Sequence, residues 1–172
     1  MQLRTATKHD LVVMMAWFPD AHSCRIWGGP EFRFPFSEES FQEDSRFEVL
    51  PSYVCTGERS LIGFGQYYLR AGRCHLSRLA VSPAQRGRGW GSRLLLALAE
   101  LGSTALGAEQ CSLFVAADNS RAAQLYKRLG FEESPYPGAE SPLRGSQYLV
   151  ADARLIRARV TVAPDAAGSP PG

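Results

Sequence analysis

The most constraining stretch of the chain is Leu79-Ala80-Val81-Ser82-Pro83-Ala84-Gln85-Arg86-Gly87-Arg88-Gly89-Trp90-Gly91-Ser92, in which an apolar run gives way to alternating glycines. Residues 74–81 read as a strand, and Ser82-Pro83 ends it. Residues 93–101 are apolar at helical spacing. Strand, glycine-rich turn and helix therefore follow one another directly. The first N–H groups of a helix have no partner within it and sit at the positive end of its dipole. Glycine lets a ligand approach that backbone closely and permits positive φ. Such a turn cradles phosphate, and Arg86 and Arg88 add guanidinium groups suited to phosphate oxygens. A nucleotide P-loop would need Gly-Lys-Ser/Thr where the chain has Gly91-Ser92-Arg93, and a dinucleotide fingerprint would need glycine at Ser92. Taken alone, a glycine run of this kind is also compatible with a tight turn that binds nothing.

The elements around this turn fix the fold class. Residues 2–6 alternate as a short strand, and Asp10 is placed to cap a helix reaching Phe18. A second short helix follows Pro19-Asp20 and stops at Gly28-Gly29-Pro30, and a third starts at Ser37. Strands are expected over 47–55, 60–69 and 74–81, joined by turns at Gly57-Glu58-Arg59 and Ala71-Gly72. Residues 110–116 are almost continuously apolar, as in a central strand covered on both faces. Asp118 or Asn119 caps a helix to Leu129, Gly130 stops it, and Phe131-Glu132 opens an edge strand. Residues 135–144 read as a polar loop, 147–162 as a closing strand and 163–172 as a disordered Ala/Pro/Gly tail. The reading is α/β: a mixed, mostly antiparallel twisted sheet of six to seven strands with helices on both faces. Its 172 residues suit one domain over 1–162.

Two motifs in this order resemble those of the GNAT N-acetyltransferase superfamily. Arg86, Gly89 and Gly91 fall in register with its acyl-CoA motif, Q/R-x-x-G-x-G/A. Asn119-Ser120-Arg121-Ala122-Ala123-Gln124-Leu125-Tyr126-Lys127-Arg128-Leu129-Gly130-Phe131 resembles its second signature, Asn-x-x-Ala-x-x-Leu-Tyr-x-x-x-Gly-Phe. The resemblance spans about residues 46–133. It implies acetyl-CoA as acyl donor, an amine acceptor, and a V-shaped split between the strands at Leu79 and Leu113. It further implies that Leu79, Ala80 and Val81 pair with the pantetheine arm as an added strand would. Arg86, Gly87, Arg88, Gly89, Trp90, Gly91 and Ser92 would hold the pyrophosphate. Asn119 would bond the pantetheine, Ala122 would leave room for it, and Arg121 or Lys127 would reach the adenosine-side phosphate. Tyr126 would sit beside the sulfur and protonate the leaving thiolate.

The acceptor and the base are less well defined. Trp27, Phe32 and Phe34 lie in the segment that walls the acceptor site in this family, where they would line a pocket or simply anchor a loop. Many family members carry an acidic residue on the strand before the glycine turn, whereas this chain has His75, Ser77 and Arg78. His75 is the candidate base on that strand, with Glu48, His22 and a water relay as alternatives. The rival to catalysis is a non-catalytic acyl-CoA-binding sensor.

Composition excludes other classes. A net charge of +2 is too small to argue for nucleic acid, and no apolar stretch is long enough for a membrane span. The four cysteines lack CxxC spacing, so no metal site is expected. With no signal-peptide pattern at the start, they read as free thiols in a cytoplasmic monomer or homodimer.

Overall fold

The computed structural model describes residues 1–58, 60–138 and 141–162. The turn position Arg59 and the tail 163–172 lie outside the described residues. Strands β1 (Gln2–Thr5), β2 (Ser52–Thr56), β3 (Leu61–Arg70) and β4 (Arg73–Val81) are followed by β5 (Gln110–Ala116), β6 (Glu132–Glu133) and β7 (Ser146–Asp152). They form one seven-stranded sheet in the order β1-β2-β3-β4-β5-β7-β6. The helices are α1 (Lys8–Met15), α2 (Ala21–Gly28), α3 (Glu38–Asp44), α4 (Trp90–Leu106), α5 (Ser120–Arg128) and α6 (Ala153–Val162).

All neighbouring strands run antiparallel except β4 and β5, which are joined by the α4 crossover and so run parallel. These two pair only at Cys74–Cys111 and His75–Ser112. Beyond that point they diverge, as the family resemblance implied, and the β5-facing edge of β4 has no strand partner among the described residues. One face of the sheet packs on α4, α5 and α6 through Leu76, Leu95, Leu98, Leu113, Leu149 and Ile156. The other packs on α1, α2 and α3 through Leu11, Met14, Phe18, Phe41, Val54 and Phe64. Each such side chain contributes about 1.5–3 kcal/mol by leaving water. Helix α4 lies very close to β3. A Cβ at Gly65 would come within 2.8 Å of both Leu79 and Leu98, so only glycine fits there without movement.

Three elements differ from the sequence expectation. Helix α1 begins after Thr7, not Asp10; Asp10 occupies the third position of a capping box and is bound by Arg4 at 2.7 and 2.8 Å. That guanidinium holds the Asp10 carboxyl down at about 2. Strand β2 starts at Ser52 rather than 47, because Val49 and Leu50 N–H groups bond back to the Arg46 carbonyl in a turn. The expected closing strand 147–162 is a strand only to Asp152 and then a helix. Ala153 and Ile156 are buried, with Val160 partly so, which is helical spacing hidden among β-branched residues.

Strand β4 also carries a bulge. Ser77 pairs with Gln66 and Ala80 with Phe64, so Arg78 and Leu79 together face the single residue Gly65. Arg78 has a φ of 49°, an uncommon value for a side-chain-bearing residue. The bulge lies where β4 leaves β5, in the wall of the split.

Candidate active site

Backbone makes one half of the site. After β4, a 3₁₀ turn over Pro83–Gln85 leads into the glycine run, where Gly87 and Gly89 take φ of 79° and 78°. Gly89 is the N-cap of α4 and supplies no side-chain acceptor, so the first-turn N–H groups of a 17-residue helix are left for a ligand. A cavity of about 680 Å³ lies against this turn. Its walls include Arg86, Gly87, Gly89, Trp90, Gly91 and Ser92, and across from them Arg121 and Ala122 of α5. Gly91 is where α4 and α5 come close, with Leu125 3.5 Å from the Cβ position.

The second half fills the split itself. A cavity of about 390 Å³ runs between residues 76–81 of β4 and 113–116 of β5. His22, Ile26, Val81, Arg86 and Asn119 line both cavities, so the two form one continuous groove. Arg86 lies at the junction, its Nε donating to the Val81 carbonyl at 3.2 Å. Asn119 caps α5, its Oδ1 accepting from Ala122 N–H at 3.2 Å, which leaves its NH₂ outside the cap bond. Tyr126 lines the split, and burial pushes its phenol up to about 12.

The structure therefore brings Leu79, Ala80, Val81, Arg86, Gly87, Gly89, Trp90, Gly91, Ser92, Asn119, Arg121, Ala122, Tyr126 and Trp27 to the groove. It does not bring the others. Arg88 is exposed, lines neither cavity, and donates to Gln85 Oε1 at 3.4 Å. Phe32 is in the core beneath α2, and Phe34 is exposed against Phe36. Lys127 is exposed outside both cavities, whereas Arg128, one position on, lines the larger one.

The candidate base His75 is a correction. It lines neither cavity and is 2% exposed. Its Nδ1 is 2.9 Å from Ser112 Oγ, and Tyr68, Phe114 and Tyr148 surround it. Desolvation, with Arg70 adding to it, lowers its pKa to about 3, so the ring stays neutral and out of reach of the groove. Glu48 is exposed and paired with Lys8 at 2.7 Å. His22 is the imidazole that does line the groove, from the first turn of α2. Sequence reasoning ranked it low because nothing in the chain's linear order ties α2 to the split. It noted Ser77 and Arg78 on β4 but gave them no role, and both line the split, Arg78 within the bulge.

Comparison with known proteins agrees with this geometry. The family model described as "Acetyltransferase (GNAT) family" matches residues 16–131, well over half of the chain. The aminoglycoside N(6')-acetyltransferase type 1 of Klebsiella pneumoniae is 26% identical over 146 residues, covering 76% of this chain and 73% of the relative. Among solved structures, AAC(6')-Ib in complex with ribostamycin and coenzyme A superposes with a TM-score of 0.72 at 23% identity, covering 95% of this chain and 98% of that one. The Vibrio cholerae spermidine N-acetyltransferase, solved with CoA and spermine, gives 0.69 at 18% identity, covering 90% and 96%. At these identities the structural likeness is one of fold. Among the described residues no helix is long and apolar enough to cross a membrane.

Proposed function

The chain belongs to the GNAT acetyltransferase family, and on that premise we propose how its own residues transfer the acetyl group of acetyl-CoA to an amine. The observation that carries the reading is the continuity of the groove, which joins the uncapped start of α4 to the split where β4 has a free edge. Acetyl-CoA supplies a thioester, whose carbonyl carbon is open to an amine. The backbone amides of 87–92, with Arg86 and Arg121, would hold its phosphates. The free edge of β4 at Leu79, Ala80 and Val81, opposite the Asn119 amide, would bind its pantetheine arm.

Within the split, a backbone N–H of β4 beyond His75 would stabilise the negative charge that develops on the carbonyl oxygen as the C–N bond forms. Tyr126 would give its proton to the sulfur as the C–S bond breaks. A phenol raised to about 12 stays protonated at neutral pH, as an acid must. The proton lost by the amine would pass to His22, directly or through water. A primary amine is the acceptor class the reading favours. Residues 1–162 are read as one catalytic unit acting as a monomer or homodimer. The four cysteines are buried free thiols, which supports a reducing compartment.

Thiol release with an amine panel tests this reading. Acceptor-dependent turnover that is lost in Tyr126→Phe, with acetyl-CoA affinity kept, supports it. Acetyl-CoA binding with no turnover of any amine would instead favour the sensor reading.

A further inference from the structure

Among the described residues, the wall of the split contains no carboxylate. Its ionisable side chains are His22, Arg78, Arg86 and Tyr126. An acceptor with several ammonium groups needs acidic side chains to replace its hydration. The substrates named for the similar enzymes, an aminoglycoside and spermidine, are of that kind. This wall offers the opposite charge.

We propose that the acceptor is a small primary amine that also carries a carboxylate, such as an apolar or aromatic amino acid, and that Arg78 on the β4 bulge and the adjoining Ser77 receive the carboxylate. The proposal rests on the reading of the split as the acyl-transfer site. The Arg78 guanidinium has five N–H donors, and its recorded partners are both neutral oxygens, Gln66 Oε1 at 3.1 Å and the Asp44 carbonyl at 3.0 Å. Among the described residues its Nε is buried without a hydrogen-bond partner, and so is the neighbouring Ser77 Oγ. Both residues line the split.

The nearest carboxylate does not fill this role. Asp44 is clamped by Arg33, which reaches it from its backbone N at 2.9 Å, from Nε at 3.0 Å and from Nη2 at 2.8 Å. Burial works against the Arg78 cation, a cost that an anionic ligand offsets. Arg78 immediately precedes Leu79-Ala80-Val81, where the thioester arm would lie, and lines the same cavity, so its partner carboxylate would belong to a small acceptor. Phe18, Ile26, Trp27 and Phe114 supply the apolar remainder of the wall.

The test compares kcat/KM by thiol release for L-phenylalanine, L-phenylalaninamide, phenethylamine, spermidine and ribostamycin, with acetyl-CoA affinity measured in parallel. The amide and the amine are expected to fall about 10- to 100-fold below the amino acid, the range of one hydrogen bond between charged groups. The polycations should fall lower still. Arg78→Met should erase the preference for the amino acid over its amide, and Arg78→Lys should keep part of it. If Arg78→Met does not fold, as lost acetyl-CoA binding would reveal, the wild-type panel decides alone. Equal turnover of amide and amino acid, better turnover of a polycation, or no turnover of the amino acid by a protein that binds acetyl-CoA each overturns the inference. Failure of the wild-type protein to bind acetyl-CoA would overturn the parent reading instead.

Discussion

The two ends of the groove are built from different materials. The α4 end is made of backbone, glycines at positive φ and a helix start left without a side-chain cap, and on the proposed reading that backbone would recognise the donor. The split is walled by side chains: His22 and Trp27 from α2, Ser77 and the bulged Arg78 from β4, Tyr126 from α5; on the proposed reading these would recognise the acceptor. A backbone site needs particular residues in one short segment, since only glycine takes up its turns freely. A side-chain site can be assembled from distant segments and changed one residue at a time. The first kind suits a donor common to a family, the second an acceptor that differs among its members.

Tyr126→Phe should have the largest effect on this division. Removing the acid is expected to lower kcat about 100-fold or more while leaving acetyl-CoA affinity within about twofold, well under the 1.4 kcal/mol of a tenfold change. Unchanged kcat would dissociate Tyr126 from the chemistry. Next comes Arg86→Ala, at the junction of the two cavities. It should weaken acetyl-CoA binding about 10- to 100-fold with little change in saturated kcat. A loss confined to acceptor KM would move Arg86 to the other half of the comparison.

His22→Gln is expected to lower kcat near neutral pH by about tenfold, a modest effect because water can substitute as base. The smallest effect on turnover is expected for His75→Gln, whose readout is stability. The native ring titrates at about 3, below its ordinary value near 6.5. The unfolded chain therefore binds a proton that the native state refuses. Stability should fall as pH drops from about 6.5 towards 3, by up to about 1.4 kcal/mol per pH unit from this group. His75→Gln should remove that share of the slope in thermal melts, and turnover should persist. A steep loss of turnover in a well-folded His75→Gln protein would contradict its exclusion from the groove.

The same contrast explains what the sequence disclosed. The strand, glycine turn and helix around residues 79–92, and the Asn119-capped helix α5, were legible because local chemistry dictates them. The split between the strands at Leu79 and Leu113 followed from the resemblance. Helix α6 was misread because Val160 and the alternating polar residues imitate a strand, and only packing of Ala153 and Ile156 settles the period. His75 was misplaced for a similar reason. Its strand position is right, but β4 and β5 are still paired at His75–Ser112, so the ring is enclosed among Tyr68, Phe114 and Tyr148 before the split opens. Arg78 had no local mark, since the bulge that carries it shows only in the register with β3.

Calorimetric titration with acetyl-CoA tests the central claim most directly, comparing the wild-type protein with a Gly89→Glu variant whose fold is checked by circular dichroism. The account predicts saturable binding of one acetyl-CoA per chain, competed by CoA, and its loss in the folded variant, where a carboxylate and a side chain at positive φ intrude on the phosphate turn. No binding by the wild-type protein, or undiminished binding by the folded variant, would contradict it.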